Sequence, residues 1–190
     1  MAGANNATSS QPSEVIGLVA LWREDLVRHR GRWSTPGFQA LAVQRFGAWA
    51  RERGGVQGKL VRRIHKALFV FVRNFYGIEI HAETRIGRRL LIGHQHGIVI
   101  HPAATIGDDC VLRHNVTLGD GARYWTDEAP HLGNHVRVGP GAVILGDVHV
   151  GDDAQIGPNA LVTTDVPEGA VVFEKPTRIL QLTKKTAPAE

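Results

Sequence analysis

From Ile80 to Val162 an aliphatic residue recurs every six positions, a spacing that suits neither an amphipathic helix nor a simple pleated strand. The column runs Ile80, Ile86, Ile92, Ile98, resumes two residues out of step at Ile100, Ile106, Leu112, Leu118, and resumes again at Leu132, Val138, Ile144, Val150, Ile156, Val162. Glycine follows the aliphatic residue at Gly87, Gly93, Gly107, Gly119, Gly133, Gly139, Gly151 and Gly157. Four residues after the aliphatic stands a small or β-branched residue: Thr84, Ala104, Cys110, Val116, Ala122, Val136, Ala142, Val148, Ala154, Ala160.

Each six-residue side therefore supplies an inward aliphatic, a corner where glycine would accept positive φ, and a small residue that lets the next wall approach. Three sides make a coil of about 18 residues, so the pattern predicts a parallel β-helix of roughly four to five coils. The interval from Leu118 to Leu132 is two residues longer than two repeats require. A loop over 119–131, holding Tyr124, Trp125, Asp127 and Glu128, is expected to bulge outward, where binding groups tend to sit on a rigid scaffold.

Upstream the period changes. Residues 1–12, rich in Ala, Asn and Ser, read as a disordered tail. An α-helical domain is expected over 13–76. Its first helix carries Val15, Leu18, Val19, Trp22 and Leu26; a second runs from Pro36 to Gly54-Gly55; a third covers about Gln57 to Phe75 with Leu60, Ile64, Ala67, Leu68, Phe71 and Val72 as its apolar stripe. The third helix also has a basic face of Lys59, Arg62, Arg63, Lys66 and Arg73. That face would allow a weak peripheral membrane contact, but packing within the domain and against a partner subunit is the reading adopted. The β-helix is expected over 77–173, and 174–190 as a C-terminal tail.

Over 190 residues, 43% hydrophobic and 21% charged residues describe an ordinary globular chain. A single cysteine excludes an internal disulfide, and Cys110, in the small-residue column, reads as a buried structural thiol. The start of the chain lacks the features of a signal peptide and no apolar stretch is long enough to span a bilayer, so a cytoplasmic location is expected. The net charge of +4 comes without a nucleic-acid recognition motif, so no nucleic-acid partner is expected.

Among ten histidines, His94 and His114 each stand two residues past their aliphatic. If the step from Ile98 to Ile100 is a two-residue widening, they stack one coil apart, about 5 Å from strand to strand. Such a pair could be a catalytic base with a neighbour or a metal site. No set of ligand-spaced residues accompanies it, so no metal is expected. His101, His131, His135 and His149 read as surface residues.

The stretch Gly77-Ile78-Glu79-Ile80-His81, then Ile86-Gly87-Arg88 and Ile92-Gly93-His94-Gln95-His96-Gly97-Ile98-Val99-Ile100, resembles the serine acetyltransferase family of hexapeptide-repeat acyltransferases. The ending Glu174-Lys175-Pro176-Thr177-Arg178-Ile179 resembles that family's Gly-x-Pro-Ala-Arg-Ile. The resemblance implies an α+β protein with an N-terminal α-helical domain followed by a left-handed parallel β-helix. It implies acetyl-CoA as co-substrate, His94 as general base and Glu79 as the carboxylate that orients it, although the family usually has Asp there. It further implies an acceptor near His114, His96, Glu128 and Trp125, a CoA arm along Gly119, Gly139, Ala142, Lys175 and Arg178, and a homotrimer with the arm lying between subunits.

The chain departs from the family where the acceptor would bind. Gly93 replaces the Asp before the catalytic His, and Glu128-Ala129 replaces an Arg-His pair in the loop. A serine carboxylate would meet a carboxylate in place of a guanidinium. Together with Arg23-Glu24-Asp25-Leu26 and Pro36-Gly37-Phe38, this resembles the serine-acetyltransferase-like proteins of surface-polysaccharide gene sets. The expected function is O-acetylation of a saccharide hydroxyl. Serine O-acetylation for cysteine biosynthesis is the enzymatic alternative, and a non-catalytic β-helix assembly subunit is the alternative of another class.

Overall fold

The computed structural model describes residues 16–121 and 128–175. Among the described residues three helices come first: α1 (Leu18–Arg28), α2 (Pro36–Arg51) and α3 (Gly55–Phe71). A π-helical turn over Val72–Tyr76 extends α3 and stops at Gly77, whose φ of 60° redirects the chain into the first strand.

Short parallel strands then build three walls. The first wall is β1 (Ile78–Ile80), β4 (Ile98–Ile100), β7 (Thr117–Gly119), β10 (Val143–Leu145) and β13 (Leu161–Val162). The second is β2 (Arg85–Ile86), β5 (Thr105–Ile106), β8 (His131–Leu132) and β11 (His149–Val150). The third is β3 (Leu91–Ile92), β6 (Val111–Leu112), β9 (Arg137–Val138), β12 (Gln155–Ile156) and β14 (Val171–Val172). The protein is thus a helical segment followed by a left-handed parallel β-helix.

The aliphatic column forms its core. Ile80, Ile100, Leu118, Ile144 and Val162 are stacked in register on the first wall, and all lie at or below 4% exposure. Each outward residue between them meets solvent, so burial alternates along every three-residue strand or is split within every two-residue one. Cys110 is fully buried, and burial pushes its thiol up to about 11, as expected of a structural cysteine.

Two expectations about the corners need correction. The glycines after the aliphatic residues are not the left-handed positions. Positive φ falls on Arg89, Asp109, His135 and Asp153 at the edge between the second and third walls, and on Asn115 and Asn159 at the edge between the third and first. Asn and Asp tolerate that region because their short polar side chains can hydrogen-bond locally. The column glycines serve close approach: a β-carbon on Gly107 would lie 2.4 Å from the Gly133 carbonyl oxygen of the next coil. In addition, Leu118 and Leu132 sit on successive walls, so the interval between them replaces one side rather than two. The insertion is longer by a whole repeat than the spacing implied, and 122–127 of it lie outside the described residues.

The helices differ from expectation in which face they bury. In α1 the buried positions are Leu21 and Asp25, followed by His29, one residue out of phase with the apolar spacing. In α3 the apolar stripe, expected to pack within the domain and against a partner subunit, is largely open in the single chain: Leu60 is 59% and Phe71 45% exposed, while Val72 is buried. The face of α3 turned inward carries Gly58, His65 and Phe69, and Gly47 of α2 lacks a β-carbon where the His65 ring lies. The tail expected over 1–12 lies outside the described residues.

One buried ion pair docks the helices on the β-helix. Arg45 of α2 donates from Nε to Asp25 Oδ2 of α1 at 3.1 Å, and from Nη1 and Nη2 to the carbonyls of Ile86 and Gly87 after β2. Both side chains are at or below 2% exposure. Burial pushes the Asp25 carboxyl above its ordinary value and the Arg45 guanidinium below its own, so desolvation costs both partners. What the pair fixes is position. We predict that Arg45→Ala, which strands Asp25 and two carbonyls, destabilises the fold by about 3–5 kcal/mol. Urea denaturation of the variant against the natural chain measures it; a loss below about 1 kcal/mol, the scale of an exposed pair, would show that the pair does not hold the two parts together.

Candidate active site

Ile80 pairs with Ile100 across the first and second coils, whereas Ile100 pairs with Leu118 across the next two. The first coil is thus two residues longer, and Ile92 pairing with Leu112 places the surplus after β3. The corner Gly93-His94-Gln95-His96-Gly97 stands over Arg113-His114-Asn115. His94 and His96 have φ of 79° and 74°, a region that costs a residue with a β-carbon on the order of 1–3 kcal/mol.

Neighbouring backbone holds the corner in that state. Gly93 N–H donates to the Leu112 carbonyl at 2.9 Å, His96 N–H to the Tyr76 carbonyl at 2.9 Å, and Asn115 N–H to the His96 carbonyl at 3.0 Å. Gly97, at φ 68°, has Asn115 Oδ1 2.1 Å from where its β-carbon would be, so a larger residue there would be strained and would have to displace the Asn115 side chain.

The His94 ring is exposed and stands edge-on to His114, with centroids 5.7 Å apart and planes at 83°. His114 Nδ1 is buried without a hydrogen-bond partner. An exposed imidazole fixed by its backbone and braced by a second ring can take a proton from a group presented at this edge. Glu79 projects from β1, and its Oε1 lies 3.2 Å from His81 Nε2. Its carboxylate is engaged there, by a residue the sequence reading did not single out, and not by His94.

The helical segment grips the strand that leads into the corner. Ile92 N–H donates to His29 Nε2 at 3.3 Å, and His29 Nδ1 donates to the Asp25 carbonyl at 2.7 Å. Burial pushes the His29 imidazole below its ordinary value, and the neutral ring has the one donor and one acceptor that these bonds need. On the other side, a β-carbon on Gly37 would lie 2.3 Å from the Ile92 carbonyl oxygen. Sequence reading noted Pro36-Gly37-Phe38 and Arg23 to Leu26 as motifs without reaching this role.

The remaining expected residues divide by edge. His96, exposed, packs its Nδ1 near Gly77. Gly139 and Ala142 flank Gly141, whose N–H donates to the His114 carbonyl at 3.0 Å, so they share the edge of His94 and His114. Ala142 is fully buried and offers no side-chain surface. Gly119, by contrast, ends β7 at the neighbouring edge, and Lys175 follows β14. Glu128 is exposed while Ala129 is buried to 1%, with the Pro130 carbonyl accepting from Thr105 N–H at 3.0 Å. Trp125 and Arg178 lie outside the described residues. At the corner itself, a β-carbon on Gly93 would lie 3.1 Å from Arg113 Nη1, so a guanidinium stands beside the position where the resemblance would have a carboxylate.

Residues 129–164 match the family described as bacterial transferase hexapeptide (six repeats). The chain is 36% identical over 145 residues to a serine acetyltransferase of Mycobacterium tuberculosis, covering 76% of this chain and 61% of that protein. It is 42% identical over 106 residues to the putative colanic acid biosynthesis acetyltransferase WcaB of Escherichia coli, covering 55% and 64%. The soybean serine acetyltransferase apoenzyme superposes with a TM-score of 0.72 at 31% identity, covering 92% of this chain and 72% of that one. The chain spans about three fifths of the length of the first two of these relatives.

The grip on Ile92 gives a test independent of any substrate. Gly37→Ala should overpack the contact and cost about 1–3 kcal/mol, with faster amide exchange across residues 93–97. Unchanged exchange there would mean that α2 does not position the His94 corner.

Proposed function

The chain belongs to the serine acetyltransferase-like branch of the hexapeptide-repeat transferases, and on that premise we propose that it transfers an acetyl group from acetyl-CoA to a hydroxyl, with His94 as general base. The observation that carries this reading is the widened corner, where a strained, exposed histidine is held over a second one. Strain of this kind persists only where the surroundings over-determine it, and it gathers at functional sites.

In the proposed reaction the acceptor hydroxyl approaches the edge and His94 takes its proton as the oxygen attacks the thioester carbonyl. The carbon–sulfur bond then breaks, and the imidazolium returns the proton to the departing thiolate. A positioned base of this kind contributes about 10²- to 10⁴-fold. Glu79 would orient His94 in this scheme only if its carboxylate left His81. The CoA arm would lie along the edge of His114 and Gly139 and be covered by a second subunit. The outer face of the first wall supports that assembly: Val99 at 45% and Leu161 at 59% exposure stand in one ladder column with Thr117 and Val143 between them. We therefore propose a homotrimer, which sedimentation at micromolar protein would give as three times 20.7 kDa; a monomer would remove the shared site.

The proposed acceptor is a saccharide hydroxyl rather than free serine. Exposed Glu128 and the Arg113 guanidinium beside Gly93 place their charges opposite to those an amino acid's carboxylate and ammonium would seek, if both groups face the acceptor. Serine acetylation retains support from the serine acetyltransferases among the relatives. None of the described helices is long and apolar enough to cross a membrane.

Thioester consumption by the purified protein, measured against L-serine and a panel of sugars, tests the reading. We expect His94→Ala to lower turnover by about 10²- to 10⁴-fold with little change in acetyl-CoA binding, and Glu79→Gln to lose less. Turnover that survives in His94→Ala would move the base elsewhere, and no turnover with any acceptor would favour a non-catalytic assembly role. For the acceptor, kcat/KM toward L-serine should be poor in the natural chain and rise in Gly93→Asp, Glu128→Arg. Ala129 is left alone in that variant because a larger side chain would overfill its buried position. A natural value for L-serine within about 10⁴ to 10⁸ M⁻¹s⁻¹ would make serine the acceptor.

A further inference from the structure

We propose that His131, Asp147 and His149 on the second wall form a binding site for a late first-row divalent cation such as Zn²⁺, separate from the His94 edge and independent of the reaction assigned to it. His131 of β8 and His149 of β11 are direct partners in the parallel ladder, and their ring centroids are 4.9 Å apart. Asp147, in the bend that precedes β11, brings Oδ1 to 3.4 Å from His131 Nε2. One donor atom from each of the three residues lies within 4.8 Å of the other two. Donors about 2.0–2.2 Å from a tetrahedral zinc stand roughly 3.4 Å from one another, so the first pair already has the required spacing and the third needs only side-chain adjustment.

The surroundings prepare the ligands. Thr105, the ladder partner of His131 on the other side, has Oγ1 2.8 Å from His131 Nδ1. With that hydroxyl accepting from Nδ1–H, the ring keeps its Nε2 lone pair toward Asp147, the tautomer that metal ligation demands. On the far side, Asp165 Oδ1 accepts from His149 N–H at 2.8 Å and lies 3.8 Å from His149 Nδ1, leaving Nε2 of that ring for the cation. Two imidazoles and one carboxylate select zinc and its neighbours over magnesium or calcium, which prefer all-oxygen shells. The residues are partly or well exposed, so a fourth position stays open to water. A cation here would clasp the third coil to the fourth where the chain returns from the loop after Pro130.

The test uses the full chain stripped with a chelator and titrated with Zn²⁺ by calorimetry. We expect one Zn²⁺ per chain with Kd of about 1 μM or tighter, weakened at least 10-fold in His149→Gln and in Asp147→Asn. Thr105→Val, which removes only the tautomer-fixing hydroxyl, should weaken it by about 10-fold. His135→Gln, a histidine near Asp109 and Asp153 at another edge, should leave it unchanged. Zn²⁺ should also raise the thermal midpoint of the natural chain but not that of His149→Gln. Absence of binding tighter than about 100 μM would overturn the proposal. So would binding that survives His149→Gln or is lost in His94→Ala.

Discussion

Every coil of this protein is hydrogen-bonded to the next at a single register, and that constraint governs the rest of the molecule. Gly87 N–H reaches the Ile106 carbonyl, Gly107 N–H the Leu132 carbonyl and Gly133 N–H the Val150 carbonyl, each between 2.7 and 2.9 Å. A slip of one residue would turn the aliphatic column outward along a wall, so an insertion cannot be absorbed by the strands. It must appear at an edge. The two residues inserted after β3 therefore become the His94 corner, and the longer insertion after β7 becomes the loop. The stiffness of the ladder makes both features local, and it also makes the unfavourable φ at His94 affordable.

The helical segment adds a second constraint at the end of the stack, where the first coil has no neighbour below it. Asp25 is the hub: its carboxylate receives Arg45 and its carbonyl receives His29. Arg45 continues to the carbonyls after β2, and His29 to the N–H of Ile92. Beside them, Glu24 pairs with Arg88, and Arg28 donates to the Arg89 and Asp109 carbonyls. The contacts therefore fall on the end of β2, on the turn that follows it and on β3, the strand that leads into His94, with the Asp109 carbonyl of the second coil added at the same edge. Removing the helices would expose the terminal hydrogen-bonding groups of the stack as well as loosen the corner.

The legible part of the sequence was whatever repeats. Period six specifies the walls, and the two-residue shift at Ile98 to Ile100 specifies the stacking of His94 on His114. What the period does not encode was harder to read. Left-handed corners went to Asn, Asp, Arg and His rather than to the column glycines, because steric relief between coils and backbone conformation at corners are separate demands that glycine can meet equally well. The loop interval was divisible by six with a small remainder, so spacing alone could not tell one wall from two. The apolar stripe of α3 was recognisable as apolar, but nothing in a helix's own periodicity says whether its partner lies in the same chain. Glu79 illustrates the limit at the site: its position could be inferred, its choice of His81 over His94 could not. Side-chain pairing depends on rotamers that residue spacing does not specify.

Two histidine pairs in one protein arise from the same stacking rule and meet different surroundings. His94 lies over His114 and His131 over His149 because each pair sits one coil apart in a ladder that repeats position for position. The first pair is at an edge, where a left-handed backbone turns His94 into solvent and leaves His114 Nδ1 buried without a partner. An exposed ring at an edge can be reached by an acceptor, as the role proposed for His94 requires. The second pair is on a flat wall, where Thr105 and Asp165 address one nitrogen or backbone group of each residue and Asp147 faces what remains. The Thr105 hydroxyl can fix the tautomer of His131 while Asp165 anchors the backbone of His149, the arrangement that the proposed cation site uses. The repeat decides which residues meet; whether they meet at an edge or on a wall decides what they can do.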